Sequence, residues 1–198
     1  MAEKKEFFDR MAGIWDRNLK KDSSKLLRVI RESRILPGQR VLDAGAGTGI
    51  LVPYLLKAVG SRGSIYALDF SPGMVEQMRK KKFPSNVYVV FEDIHRTSFS
   101  DCFFDQVIAN ASFPHFVDQG KALKEIYRLL KPGGNLVISH PAGRDWVNRH
   151  HRQISSSVAE DVVLPAYSLS ALLTGHGFSP WRLIDEPDFY LVAARRPE

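Results

Sequence analysis

The chain has 198 residues, 44% hydrophobic and 25% charged, which suits one ordinary globular domain and excludes wholesale disorder. Twenty-eight Lys and Arg against 22 Asp and Glu give a formal charge of +6, which admits anionic partners without demanding them. The lone Cys102 excludes an internal disulfide, the charged start MAEKKEFFDR reads as no signal peptide, and no apolar run reaches the ~20 residues of a membrane span, so a cytoplasmic location away from membranes is expected.

Residues 1–36 read as a polar helical cap. Phe7, Phe8, Met11, Ile14 and Trp15 give a first amphipathic face, and Leu26, Leu27, Ile30 and Arg34 mark a second helix that Pro37-Gly38 ends. From residue 37 to 140 the rhythm changes to a core of short β-type runs, at 40–44, 65–69, 87–91, 106–110 and 136–139. Helical patterns alternate with them, at roughly 49–59, 72–82 and 119–131, the last stopped by Pro132-Gly133-Gly134. Near-continuous apolar strands alternating with helices predict a parallel sheet covered on both faces. An insertion at 141–167 follows, then a helix near 168–175 and two β-runs, at 178–184 and 189–194. Asp185-Glu186-Pro187-Asp188 is too short for a helical crossover, so the last pair must be an antiparallel hairpin. The expected fold is α/β: one domain over 1–198, with a Rossmann-like seven-stranded sheet and helices on both faces.

The strongest motif is Val41-Leu42-Asp43-Ala44-Gly45-Ala46-Gly47-Thr48-Gly49, a strand running into a glycine-rich turn and then a helix. Ligands of open α/β sheets bind at that carboxyl edge, and glycines let the backbone approach them closely. The spacing is not that of a dinucleotide site, because Ile50 stands where Gly or Ala is required. Asp43 would also repel a pyrophosphate, and it favours a cation or an ammonium and hydroxyl donor. NAD is therefore not expected.

This segment resembles motif I of class I S-adenosylmethionine-dependent methyltransferases, and the similarity runs in register over roughly residues 8–140, on the small-molecule and quinone-biosynthesis-like side of the family. Tyr66–Met74 is similar to the family's second strand, whose terminal acid, here Asp69, holds the ribose hydroxyls. Ser71 as N-cap and Pro72 at the first helical position are structural in either reading. Val89–Ile94 resembles the third strand, which implies Asp93 on the adenine amino group and the Ile94 N–H on a ring nitrogen. The implied cofactor is S-adenosylmethionine, held by Asp43, Gly45, Gly47, Gly49, Asp69, Phe70, Asp93, Ile94 and Asn110. The opening helix, Phe7–Asp16, is similar to one that folds over the cofactor in these proteins, though simple docking would also explain it.

After the fourth strand, Asn110-Ala111-Ser112-Phe113-Pro114-His115-Phe116 lacks the paired prolines of amino-methylating relatives, which disfavours a nucleobase acceptor. His115 and His140, both near the ligand edge, are the expected catalytic bases for a small-molecule acceptor. If 144–152 is helical, Arg144, Asn148 and His151 share one face and are the expected acceptor-binding residues. His115, His140, His150 and His151 cluster around that pocket. A metal is conceivable there, but no metal-ligand spacing is present, and a solvated helix is the alternative. Arg79-Lys80-Lys81-Lys82 suits a helix C-terminus as well as a nucleic-acid patch, so nucleic acid is not an expected partner. A non-catalytic module of the same fold and an RNA methyltransferase are the rival functions, and a homodimer is left open.

Overall fold

The computed structural model describes residues 2–18, 22–154 and 156–198, with Asn18 and Ser156 in their backbone only. Residues 1, 19–21 and 155, which belong to the expected cap and insertion, lie outside the described residues. The elements run α1 (Ala2–Ala12), α2 (Trp15–Asn18), α3 (Ser23–Ser33), β1 (Arg40–Ala44), α4 (Val52–Val59), β2 (Ser64–Asp69), α5 (Pro72–Lys80), β3 (Val87–Phe91) and β4 (Phe104–Asn110). After a one-turn 3-10 segment, Phe113–His115, come α6 (Gln119–Leu129), β5 (Leu130–His140), α7 (Arg144–Ile154), α8 (Ser156–Ala159), α9 (Ala166–Gly175), β6 (Ser179–Glu186) and β7 (Phe189–Arg195).

The seven strands form one sheet in the order β3-β2-β1-β4-β5-β7-β6. β1 to β5 pair in parallel, and β7 pairs antiparallel with both β5 and β6. The expected parallel sheet with a terminal hairpin is what forms. Side chains alternate across it: Leu42, Val107, Ala109, Leu136 and Ile138 pack under α6, α7 and α9, while Val41, Ile108 and Val137 pack under α3, α4 and α5.

Local chemistry sets the boundaries. Asp22 caps α3 by accepting the Ser24 and Lys25 N–H groups at 3.0 and 3.3 Å, and Ser71 caps α5 through the Met74 N–H at 3.1 Å, with Pro72 next as expected. The helix expected from 49 begins only at Val52, and Gly49 itself, at φ +79°, is outside helical geometry. Pro132-Gly133-Gly134 is not a free turn. It lies within β5 beside a register shift, and its backbone pairs with Arg196 at 2.9 and 2.8 Å.

α1 stands apart from both faces of the sheet and packs with α5 and α8 through Phe7, Phe8, Ala12, Met74 and Val158. Asp9 fixes this docking, since its Oδ1 accepts from Ser71 Oγ at 2.6 Å and from the Gly73 N–H at 3.0 Å. A carboxylate so placed satisfies one free amide at the start of α5 and complements the helix dipole.

Candidate functional site

The carboxyl ends of β1, β2 and β4 open into a cavity of about 160 Å³. Gly45, Gly47, Asp69, Phe70, Asn110 and His115 line it, as the sequence led us to expect, together with Phe8, Trp15, Ser112 and Phe116. The turn after β1 is held tightly. The Gly45 and Ala46 N–H groups both donate to the Leu68 carbonyl at 2.9 Å, and the Gly47 N–H donates to Asp69 Oδ2 at 2.8 Å. Thr48 Oγ1 donates to Asp16 Oδ1 at 2.5 Å, which brings α2 to the same turn.

The three glycines differ in purpose. Gly45 has φ +74°, and a Cβ there would lie 2.6 Å from Ser112 Cβ. Gly47 has φ +58° and nothing nearer than Trp15 Nε1 at 3.9 Å, so its bare backbone faces the cavity. Gly49 turns away, and its missing Cβ makes room for Met78 Cγ at 2.9 Å on α5. It serves packing rather than the cavity.

Asp43 is buried beneath the turn, and its Oδ2 has no hydrogen-bond partner. Burial, with Asp69 nearby, pushes its carboxyl up to about 7. Burial likewise raises Asp69 to about 6, against the pull of the Ser71 and Gly47 N–H groups. An orphaned buried carboxylate is costly, and a cationic group supplied by a ligand would satisfy it. Asp69 uses each oxygen once on a backbone amide and still has lone pairs for a diol. The residues present therefore fit an aminoacyl sulfonium nucleoside. Asp93 is spent differently: Oδ1 accepts from the His95 N–H at 3.0 Å and lies 2.5 Å from His95 Nδ1. His95 Nε2 accepts the Asp118 N–H at 3.1 Å, so Nδ1 carries the proton given to Asp93. Neither Asp93 nor Ile94 lines the cavity, and Asp43 lies beneath the turn rather than in the lining itself.

His115 closes the far side. Its Nδ1 lies 2.7 Å from Asp161 Oδ2, its ring meets the edge of Phe8 at 5.3 Å, and His151 lies 4.9 Å away between ring centroids. Burial pushes the imidazole below its ordinary pKa, while Asp161 pulls the other way. Burial would raise Asp161, but hydrogen bonds from His115 and Lys4 hold it below the usual carboxylate range. Sequence reasoning missed Asp161 and Lys4. They lie 46 and 111 residues from His115 in the chain, with no motif around either.

The structure does not bring His140 into this cavity. Its side chain faces a separate, small space shared with Phe113, Pro114, Ile138, Leu169 and Tyr190, none of which lines the larger cavity. His140 Nε2 and Tyr190 Oη are both buried without a partner, and burial pushes the His140 imidazole down to about 3. The expected acceptor-binding face is also occupied. α7 forms as expected, yet Arg144 pairs with Asp145 at 2.9 Å and Asp185 at 3.3 Å, and Asn148 holds the Val163 backbone through bonds of 3.1 and 2.8 Å. His151 Nδ1 contacts the Asp161 carbonyl at 2.5 Å. Of the three, only His151 reaches the neighbourhood of His115, and none lines the cavity. His150 stacks on Trp146, 4.7 Å between centroids, away from the cluster. Among the described residues no group of three His, Cys, Asp or Glu side chains is arranged to hold a metal ion. The basic run after α5 is partly paired, Lys80 with Glu76 at 2.8 Å and Lys81 with Asp16 at 2.7 Å. No helix among the described residues is long and apolar enough to cross a membrane.

Residues 42–138 match the family model described as a methyltransferase domain. The chain is similar to the ubiquinone/menaquinone biosynthesis C-methyltransferase UbiE of Vibrio campbellii, 34% identical over 106 residues that make up 52% of this chain and 41% of that protein. It thus spans less than half the length of the curated relatives it matches. In fold it is similar to a SAM-dependent methyltransferase from Aquifex aeolicus, with TM-score 0.75, 24% identity and coverage of 91% and 96% of the two chains. A chain of the complex between the Haloferax volcanii Trm112 methyltransferase activator and a methyltransferase superposes with TM-score 0.77 at 20% identity, over 96% and 98% of the two chains.

Proposed function

The chain belongs to the methyltransferase domain family through residues 42–138, and from that premise we propose that it methylates a small-molecule acceptor with S-adenosylmethionine. Bound in the cavity, that cofactor supplies a sulfonium-activated methyl group for in-line displacement. The task of the chain is then to orient two reactants and exclude water. Asp43, buried beneath the turn, would take the ammonium of the methionine portion, and Gly45 and Gly47 would let the backbone lie against it. Asp69 would accept from the ribose hydroxyls, and Phe8, Trp15 and Phe70 would shield the cavity. Asp93 and Ile94 keep the adenine role only if the base reaches past the cavity toward the end of β3.

The observation that carries the acceptor half is the His115–Asp161 pair at the cavity wall. With Nδ1–H given to Asp161, Nε2 keeps a lone pair and takes the proton of an acceptor O–H, S–H or N–H as the methyl arrives. A neutral, buried imidazole suits this role, because an imidazolium could not accept. His140, which lines a separate space, is left out of the chemistry. A cytoplasmic setting and a small acceptor fit the lone cysteine and the compact cavity. The relatives' printed name concerns ubiquinone and menaquinone synthesis, and a carbon acceptor acidified by a neighbouring hydroxyl falls within the same reading.

The test is methyl transfer from labelled S-adenosylmethionine to a panel of small acids, phenols, thiols and amines. Wild-type protein should label at least one class, and His115→Asn should slow that reaction by roughly 10²-fold or more while cofactor affinity stays close to wild type. Full turnover by His115→Asn, or labelling of RNA with every small molecule refused, would overturn the proposal.

A further inference from the structure

The carboxylate of Asp161 joins segments that are far apart in the chain. Its Oδ2 holds His115 Nδ1 at 2.7 Å, and its Oδ1 receives the ammonium of Lys4 from α1. Lys4 Nζ also reaches the His115 carbonyl oxygen at 3.4 Å, so one lysine touches both members of the pair. The contact is sheltered, with Lys4 and Asp161 side chains only 18% and 7% exposed. Resting on the reading of His115 as base, we propose that Lys4 is a positioning residue: by holding one oxygen of Asp161 it keeps His115 in the neutral Nδ1–H form, whose Nε2 lone pair serves the acceptor.

The physical reason is charge balance in a dry place. A buried carboxylate with only an imidazole for company either takes up a proton or draws one onto the imidazole, and the second outcome disables the base. Lys4 neutralises Asp161, so that neither proton is needed. It also stands as a like charge against an imidazolium at His115. The other titratable groups near His115 are His151 from α7, which acts against its protonation, and His140 at the end of β5, which burial keeps neutral. Phe8, one turn on from Lys4, covers the ring edge and lines the cofactor cavity. The helix that roofs the cofactor is therefore the helix that sets the base, and Asp9 secures both by docking α1 on α5.

The test reads the His115 imidazole directly by side-chain ¹⁵N NMR in the cofactor-free protein, so it needs no known acceptor. Wild-type protein should show the Nδ1–H tautomer. Lys4→Gln should shift the His115 titration to higher pH and mix the tautomers, and Lys4→Arg should restore both. Asp161→Asn, which removes the anion, should shift the titration the opposite way. A simple loss of packing would expose the ring and raise its pKa in both variants, so opposite shifts separate positioning from collapse. In turnover, Lys4→Gln should lower kcat about tenfold with KM altered less than about twofold, as expected for a group acting on the chemical step. A His115 titration and tautomer unchanged in Lys4→Gln, or shifts of the same sign in Lys4→Gln and Asp161→Asn, would overturn the proposal. Opposite shifts in a protein that methylates nothing would instead sink the base reading and leave the Lys4 contact standing.

Discussion

Asp69 at the end of β2 accepts the backbone N–H of Gly47 at 2.8 Å, so the acid expected to hold a ribose also holds the glycine turn in shape. Its other oxygen takes the Ser71 N–H at 2.9 Å and ties the same carboxylate to the start of α5. Asp69→Ala should therefore weaken S-adenosylmethionine binding by roughly ten- to a hundredfold, since a hydrogen bond to a charged group contributes ~1.5–3 kcal/mol. Calorimetric titration of wild type and variant gives the ratio. Equal affinities would remove Asp69 from the cofactor site.

Gly45 and Gly47 both have positive φ but differ in surroundings, and that difference predicts unequal penalties. A Cβ at Gly45 would lie 2.6 Å from Ser112 Cβ, whereas at Gly47 the nearest atom is 3.9 Å away. Gly47→Ala should cost about 1–2 kcal/mol from the left-handed conformation alone. Gly45→Ala should cost about 1–3 kcal/mol more from the clash. Urea unfolding of both variants checks the order, and a smaller loss for Gly45→Ala would contradict it.

Asn148 is predicted to be structural. It donates to the Val163 carbonyl at 3.1 Å and accepts the Val163 N–H at 2.8 Å, clasping the stretch that carries Asp161. Asn148→Ala should lower stability by about 1–3 kcal/mol, because two buried backbone groups lose their partner. Cofactor affinity should stay at the wild-type level. An unchanged unfolding midpoint combined with lost acceptor saturation would return Asn148 to the acceptor.

The contrast shows what was legible. The glycine turn could be read because strand, spacing and Asp43 are contiguous, and the terminal hairpin because four residues cannot cross a sheet. The alignment of Arg144, Asn148 and His151 on one face of α7 was also legible, but helical periodicity does not say what covers a face. Residues 161–163 and Asp185 cover this one and use its polar groups. His140 stands at the expected strand end, yet it lines a separate small space and not the larger cavity. The roles of Lys4 and Asp9 carried no signal in the sequence, because their partners at 161 and at 71–73 exist only in the folded chain.

The two buried carboxylates also set a pH dependence. Their folded-state pKa values, about 7 for Asp43 and about 6 for Asp69, lie above the unfolded value of about 3.9. Between those limits the folded chain binds more protons than the unfolded one, so stability falls as pH rises. The contribution is full below about pH 4 and lost as pH climbs through 6 to 7. Thermal melts of the cofactor-free protein should show this decline, and Asp43→Asn should flatten it. A decline of the same size in Asp43→Asn would place its origin elsewhere.

The orphaned acid of Asp43 is the group that a cationic ligand would satisfy. The direct measurement is a titration with S-adenosylhomocysteine, which keeps the ammonium, near pH 6.5 in two buffers of different ionisation enthalpy. Binding should convert Asp43 from acid to carboxylate, so protons should be released, the apparent enthalpy should differ between the buffers, and Asp43→Asn should abolish most of the difference. No binding, or binding with no proton released, would contradict the assignment of this cavity.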